Sequence, residues 1–378
     1  MLPSWPLKSE FPALFFEIFI PMAFKSITLD LESFRSNPSQ KTWELPPWGH
    51  PIAQGILPLF ISYDGHFHPI GTAFTVGDGI KFVVSASHNV MEAFKHEARL
   101  HHLLGSKELP TALNLKEVGF HVLHQSIEGE GGGRLTLIPL ENVTGAPPTD
   151  VIIGYPKFVD GLGTINHKIS FDLPQVGEKV LSIGYCDFGG RPIPLSDADD
   201  GTFDWLREYK HRLVVVEGFV RRHFTLQFAA GFVEGPCFMF DSEISHAQSG
   251  GPVISTDGTV RGINSSGATN FFNQPASLAS LLYPLLFKKL NFGVQAGPVR
   301  INGSRAIVDL IAQGVIRTDG SEERLGIAYD EIRGEYFANP AAHLSMQNFV
   351  HDDFRGYQEG RAATRAIRDE FRLRKPEA

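Results

Sequence analysis

What the chain lacks narrows its chemistry first. Two cysteines, Cys186 and Cys237, in 378 residues are too few for a small secreted scaffold held by disulfides. Two reduced, partly buried thiols are the expectation. An excess of basic charge is also missing: 34 Lys and Arg stand against 42 Asp and Glu, a formal net charge of −8. Surfaces that neutralise phosphates are basic, so nucleic acid is not the expected partner. No apolar run reaches the roughly 20 residues a bilayer span needs. The greasiest stretch, residues 11–24, follows Lys8 as a signal peptide would. However, Glu17 sits inside it, Pro12 and Pro21 interrupt it, and no small-x-small cleavage site follows. A docked N-terminal arm, or a true gene start at Met22, fits that stretch better. With few cysteines and no convincing export signal, the expected setting is cytoplasmic. A Walker loop, an HExxH pair and a Rossmann glycine fingerprint are all absent, so no cofactor is expected.

What is present reads as a mainly β protein. Hydrophobic residues make up 42% of the chain, and 38 glycines and 25 prolines supply turns. From Ile56 onward, about a dozen short segments rich in β-branched and aromatic residues follow one another. They cover 56–63, 67–76, 80–87, 118–125, 134–140, 150–155, 167–173, 178–185, 212–220, 223–230, 236–241, 251–256 and 259–266. Asp64-Gly65 separates the first two as a tight hairpin would. Regular spacing of short strands without alternating long helices points to barrels or a sandwich, not to a βαβ sheet. Helical patterns are expected from His88 to about His102, over 277–290, over 304–316 and over the arginine-dense 355–375. Residues 186–211, broken by glycine and proline, read as a long loop.

The sharpest chemical signal is His246-Ala247-Gln248-Ser249-Gly250-Gly251-Pro252. A nucleophilic serine needs a tight turn whose backbone N–H groups can meet a developing oxyanion, and glycines after it admit a substrate backbone. This segment resembles the nucleophile turn of trypsin-like serine peptidases. The wider FDSEISHAQSGGPV (240–253) is most similar to the bacterial HtrA-type branch, although no appended peptide-binding PDZ domain is recognisable. Two more segments share the resemblance. VVSASHNV (83–90), preceded by IGTAFTV, looks like the strand that ends in the family's general-base histidine. TDVIIG (149–154) looks like the strand led by its buried aspartate. Ser, His and Asp would then be Ser249, His88 and Asp150. Their order along the chain is His, Asp, Ser, with separations of 62 and 99 residues, which is the trypsin-like order among the convergent triads.

The resemblance covers residues 52–270 and implies two six-stranded antiparallel β-barrels of the chymotrypsin-like kind with C-terminal helices. The expected layout is an N-terminal arm over 1–51 and a peptidase domain over 52–290. Within it, one barrel covers about 52–145, a second about 165–270, and a helix follows. A partly helical extension takes up 291–378. The implied function is a serine endopeptidase acting on peptides or proteins, with the N–H groups of Ala247 and Ser249 as oxyanion donors. Two departures matter. Ala247 replaces a glycine, so the oxyanion turn either collapses at rest or tolerates alanine at negative φ. Gln248 replaces an aspartate that can bind a new N-terminus, so activation by N-terminal cleavage is not expected. The specificity pocket has two readings. Glu243 at its base would select Lys or Arg, whereas Ile244 in the pocket would select small or medium apolar side chains, and the second is favoured. Asn264, Ser265 and Ser266 would form its wall. A silent member of the same fold, kept as a peptide-binding or scaffold module, is the alternative. An α/β-hydrolase esterase conflicts with both the triad order and the strand-rich pattern. His66/His68, His101/His102 and His121/His124 are read as surface or packing histidines, not metal ligands.

Overall fold

The computed structural model describes residues 31–46, 50–78, 80–91, 95–96, 118–128, 132–145, 149–157, 167–189, 192–196, 209–224, 233, 235–268, 274–296, 299–325, 327–330 and 335–338. Two closed, all-antiparallel barrels of six strands each organise it, the chymotrypsin-like architecture expected. The first is built from β2 (Ile56–Tyr63), β3 (His66–Val76), β4 (Phe82–Ser85), β5 (Gly119–Glu128), β6 (Gly132–Gly145) and β7 (Ile152–Pro156). Their order is β2-β5-β6-β7-β4-β3, closed by pairing of β3 with β2. The second uses β8 (Lys179–Gly189), β10 (Lys210–Phe224), β11 (Cys237–Phe240), β12 (Pro252–Ser255), β13 (Val260–Gly267) and β14 (Ser277–Ser280). Here the order is β8-β10-β11-β14-β13-β12, with β12 returning to β8. A closed ring leaves no edge strand exposed. The short β9 (Ile193–Pro194) lies outside the first ring against β3.

Local chemistry explains several joins. Asp64 and Gly65 both take positive φ, +49° and +72°. That is the two-residue hairpin geometry whose twist matches flanking strands. It sets β2 against β3 with Tyr63 opposite His66. Strand β1 (Thr42–Leu45) belongs to the N-terminal arm and docks on the second barrel, with Trp43 opposite Val215 on β10. Trp43 is buried and donates its indole N–H to the Leu31 carbonyl (2.9 Å). Arg35 and Lys179 share Glu32 and Glu217 in a four-membered ionic cluster beside it.

Several boundaries differ from the sequence reading. The first barrel runs past residue 145 to Pro156, and the second spans Lys179–Ser280 rather than 165–270. Segment 167–173 is not a barrel strand. Ile169 makes only isolated bridges, to Val260 and Thr318. Segment 277–290, expected as a helix, is β14 followed by a 3-10 turn over Tyr283–Phe287 and the start of β15 (Lys289–Ala296). An all-apolar run does not distinguish a buried strand from a buried helix, and Pro284 would have broken a helix there. Of the helix expected from His88 to about His102, α1 (Ser87–Met91) is described, and residues 92–94 and 97–102 lie outside the described residues. The helix expected over 304–316 is α2 (Ile307–Ala312), preceded by β16 (Val299–Ala306) and closed at Gly314. The extension also holds a hairpin of β17 (Ile327–Asp330) and β18 (Glu335–Ala338). The expected helix over 355–375 lies outside the described residues.

One apolar cluster joins the barrels. Phe74, Val84 and Ile153 of the first meet Leu181, Tyr185, Val215 and Ile263 of the second, and Leu285, Ile307 and Leu310 from the C-terminal part close over them. The two barrels thus meet through the outer sides of their facing strands, while each lumen keeps its own apolar cluster, and the loops carrying the candidate site converge beside this seam. Among the described residues no helix is long and apolar enough to cross a membrane.

Candidate active site

His88 and Asp150 come from the first barrel. β4 pairs with β7 so that Ser85 lies opposite Ile152. Asp150, just ahead of β7, therefore falls beside Ser87 and His88 at the start of α1. The Asp150 carboxylate is buried and saturated. Its Oδ1 accepts from Ser87 Oγ (2.6 Å) and from the His88 backbone N–H (2.9 Å). Its Oδ2 accepts from His88 Nδ1 (2.8 Å) and from Ser265 Oγ. An ionised carboxylate only accepts hydrogen bonds, so His88 carries its proton on Nδ1 and leaves Nε2 as the basic nitrogen.

The electrostatics follow from that pairing. Burial works to raise the Asp150 pKa, but His88, Ser265 and Ser87 outweigh it and hold the carboxyl below its ordinary value. Burial works to lower the His88 pKa, and the charge and hydrogen bond of Asp150 overcome it, so the imidazole sits above its ordinary value.

Ser249 comes from the second barrel, directly after a 3-10 turn over His246–Gln248. Gly250, next in line, has φ of +89°, and a Cβ there would lie 2.1 Å from the Thr72 carbonyl oxygen and 2.2 Å from Ser85 Oγ. Only glycine allows the Ser249 turn to approach the first barrel this closely. Ser249 Oγ donates to the Ser265 carbonyl (3.2 Å). The backbone of Ser265 thus holds the Ser249 hydroxyl while its own hydroxyl holds Asp150. One residue of β13 joins the two halves of the constellation. Asn89, adjacent to His88, adds a second link by donating from Nδ2 to the Ser249 carbonyl (3.0 Å). The structure therefore gathers His88, Asp150, Ser249 and Ser265 at the seam between the barrels. Ser249 Oγ is hydrogen-bonded to Ser265, not to the imidazole.

The N–H groups expected as oxyanion donors are not arranged for an open hole. The Ser249 N–H donates to the His246 carbonyl (3.3 Å), and the Gln248 N–H donates to the Ser245 carbonyl (3.0 Å). Ala247 lies inside this right-handed turn and is not among the residues with positive φ. This is the collapsed alternative, and the presence of Ala247 explains it. Alanine is comfortable in the right-handed turn and disfavoured where φ is positive. Gln248 locks the turn from below. It is fully buried, its Oε1 accepts from the Ser245 N–H (2.7 Å), and its Nε2 donates to the Val214 carbonyl (3.4 Å). No ion pair is involved.

The pocket residues divide. Ile244 is buried in the apolar lumen of the second barrel with Phe238, Phe240 and Ala279. Its N–H donates to Ser277 Oγ (3.0 Å). Glu243 is exposed, so it is not a buried acid at a pocket base. Asn264 is not a free wall residue: it is fully buried, and its side chain bonds Ser182 Oγ and the Ile183 and Gln248 carbonyls. Ser266 is half-buried, with its hydroxyl on the Gly267 carbonyl. Sequence reasoning missed the joining role of Ser265 and the contributions of Ser87, Asn89 and Thr72. Their only signal was proximity to His88 and to the strand that resembles the family's. Of the histidine pairs, His124 is buried, which drives its pKa down to about 4, and His101 and His102 lie outside the described residues. Among the described residues no group of three or more His, Cys, Asp or Glu could hold a metal ion.

No protein-family model matches the chain, and no curated protein matches it. Solved structures do. The Rv3671c protease of M. tuberculosis in its active form is 13% identical over 64% of this chain and 84% of that one, with a TM-score of 0.39. The apo MamO protease domain of Magnetospirillum magneticum is 16% identical over 61% of this chain and 93% of that one, with a TM-score of 0.36. The inactive form of Rv3671c is 13% identical over 62% and 90%, with a TM-score of 0.34.

Proposed function

We propose that this protein is a serine endopeptidase that cleaves proteins or peptides through an acyl-enzyme on Ser249. The observation that carries the reading is the hydrogen-bonded chain from Asp150 to His88, with Ser265 tying Asp150 to the Ser249 hydroxyl. In this reading, rotation about the Ser249 Cα–Cβ bond releases Oγ from the Ser265 carbonyl and turns it toward His88 Nε2. His88 then takes the hydroxyl proton as Oγ attacks the scissile carbonyl, and returns it to the leaving amine. Asp150 keeps the ring in the useful tautomer and stabilises the imidazolium. Residues are supplied by both barrels, so their mutual packing sets the geometry. A fluorophosphonate probe tests the reading directly. Labelling of the purified protein that disappears in Ser249→Ala supports it, and absence of labelling under every condition rejects it.

The collapsed turn is the observation that favours the second reading, a silent fold that binds peptides without cutting them. The two readings separate at Ala247. Opening the hole means rotating the peptide between His246 and Ala247, which changes the φ of Ala247 by about 180°. Positive φ is disfavoured for alanine by about 1 kcal/mol relative to glycine, and that corresponds to about a 5-fold change in population. Ala247→Gly is therefore expected to raise the labelling rate about 5-fold, with a matching gain in kcat. An unchanged rate would mean that the turn does not limit the reaction, and no reaction in either form supports the silent fold.

Glu243 is exposed and not a buried acid at a pocket base, which supports preference for small or medium apolar side chains, rather than Lys or Arg, on the acyl side of the cut bond. A peptide-library digest read by mass spectrometry should show cleavage after such residues. Dominant cleavage after Lys or Arg would instead assign the selecting charge to Glu243.

A further inference from the structure

Thr72 sits on β3 of the first barrel, is fully buried, and uses every hydrogen-bonding group it has. Its N–H donates to the Ser249 carbonyl (2.9 Å), and its own carbonyl accepts from Ser85 Oγ (2.7 Å). Its hydroxyl accepts from the Tyr185 N–H (2.9 Å) and donates to the Ala247 carbonyl (2.9 Å). A hydroxyl has one proton. With the Tyr185 N–H directed at the oxygen, that proton is aimed at Ala247. Three of the four bonds cross to the second barrel, and two of those end on the nucleophile turn.

The turn has four successive carbonyls, and they are held unequally. Ala247 is held by the Thr72 hydroxyl. Gln248 is held by the Gly251 N–H (3.0 Å) and Asn264 Nδ2 (3.3 Å). Ser249 is held by the Thr72 N–H and Asn89 Nδ2. Among the described residues, the His246 carbonyl has only the long 3.3 Å contact from the Ser249 N–H. Rotation of the 246–247 peptide breaks that contact alone, provided that the Ala247 end of the rotation axis stays fixed.

We propose that Thr72 is a positioning residue for the oxyanion site: its hydroxyl anchors the 247–248 peptide from the opposite barrel and so confines opening of the turn to the single peptide between His246 and Ala247. This rests on the reading of Ser249 as the nucleophile. With the anchor in place, one rotation releases the Ser249 N–H and turns the Ala247 N–H toward the same point. Without it, the Ala247 carbonyl moves with the turn and the two donors no longer converge. Misplacement on the scale of an ångström in such a site lowers rates by about 100-fold.

The test compares Thr72→Val, which keeps the shape and removes the hydroxyl, with Thr72→Ser, which keeps the hydroxyl. Thr72→Val is expected to lower kcat and the fluorophosphonate labelling rate by about 10- to 100-fold, with KM within about 2-fold of the parent protein. Thr72→Ser is expected to restore the parent rate to within about 3-fold. A wild-type rate in Thr72→Val, or an equal loss in Thr72→Ser, overturns the proposal. If Thr72→Val does not fold, Thr72→Cys, with a weakly bonding thiol, carries the same expectation. Hydrogen–deuterium exchange of the peptide spanning 244–251 separates this proposal from the one it rests on. If the parent protein does not react with the probe, the nucleophile assignment fails by itself. Faster exchange there in Thr72→Val but not in Thr72→Ser still supports the anchor, and unchanged exchange rejects it.

Discussion

Replacing Ser249 by alanine is expected to lower kcat by about 10⁶-fold, the scale on which loss of a triad nucleophile acts when the triad works as a unit. The size follows from the chemistry. Without Oγ there is no acyl-enzyme, and what remains is substrate binding plus whatever the oxyanion turn contributes to direct attack by water. His88→Ala should cost about as much, and the double variant little more than either single one, because base and nucleophile act in the same step. Steady-state hydrolysis of a peptide substrate by the three variants, with melting curves to show that each is folded, checks the pattern. The fold should tolerate Ser249→Ala well. The Ser249 carbonyl, not its hydroxyl, receives the bonds from Thr72 and Asn89, and alanine keeps that carbonyl. Activity in Ser249→Ala near that of the parent would place the reaction elsewhere.

Asp150→Asn should lower kcat by about 10⁴-fold, and the surroundings dictate why. One carboxylate oxygen faces the His88 backbone N–H, a donor that cannot reverse. An asparagine must therefore direct its carbonyl there and its NH₂ toward His88 Nδ1. An NH₂ donor forces Nδ1 to accept, which moves the imidazole proton to Nε2, the nitrogen that has to receive the Ser249 proton. Substrate binding does not depend on the tautomer, so KM should change little. The pH profile supplies an independent readout. His88 must be neutral to act as the base, so activity is present above its pKa and is lost as pH falls through it. In the parent protein Asp150 raises that pKa above its ordinary value against the effect of burial, and the acid limb of kcat/KM is accordingly high. In Asp150→Asn only burial remains and the limb moves to lower pH. A limb that stays in place would mean that another group sets it.

Much of the candidate site was legible in the sequence because it is local. The strand before His88, the strand after Asp150 and the glycines after Ser249 are each contiguous, and each carries its backbone requirement in a few residues. The Asp64-Gly65 turn was legible for the same reason, since two adjacent positive φ values leave few alternatives to that pair. The misreadings concern features decided at a distance. Whether 277–290 forms a strand or a helix depends on β11 and β13 offering free edges to Ser277–Ser280, which the apolar run itself does not encode. Asn264 looked like a pocket wall, but its amide is consumed by Ser182, Ile183 and Gln248, partners up to 82 positions away. Ser265 was read as part of the pocket wall, and its bond to Asp150 was missed because it joins different barrels. Ala247 pointed to a collapsed or a tolerant turn, and Gln248 beneath it favours the collapsed one.

The arm strand β1 has a consequence for how the chain is made. Arg35, beside β1, is joined to Glu217, a residue 182 positions further along. At roughly 5–20 residues per second, the arm would emerge from the ribosome some 10–40 s before β10 exists to receive it. Trp43 and Leu45 must wait that long with their apolar faces uncovered. Such long-range pairing is slow and leaves a nascent chain open to misassociation. The earliest-made described strand therefore cannot settle before β10 is made, and a holdase acting on this interval would cover the arm together with the unfinished barrels.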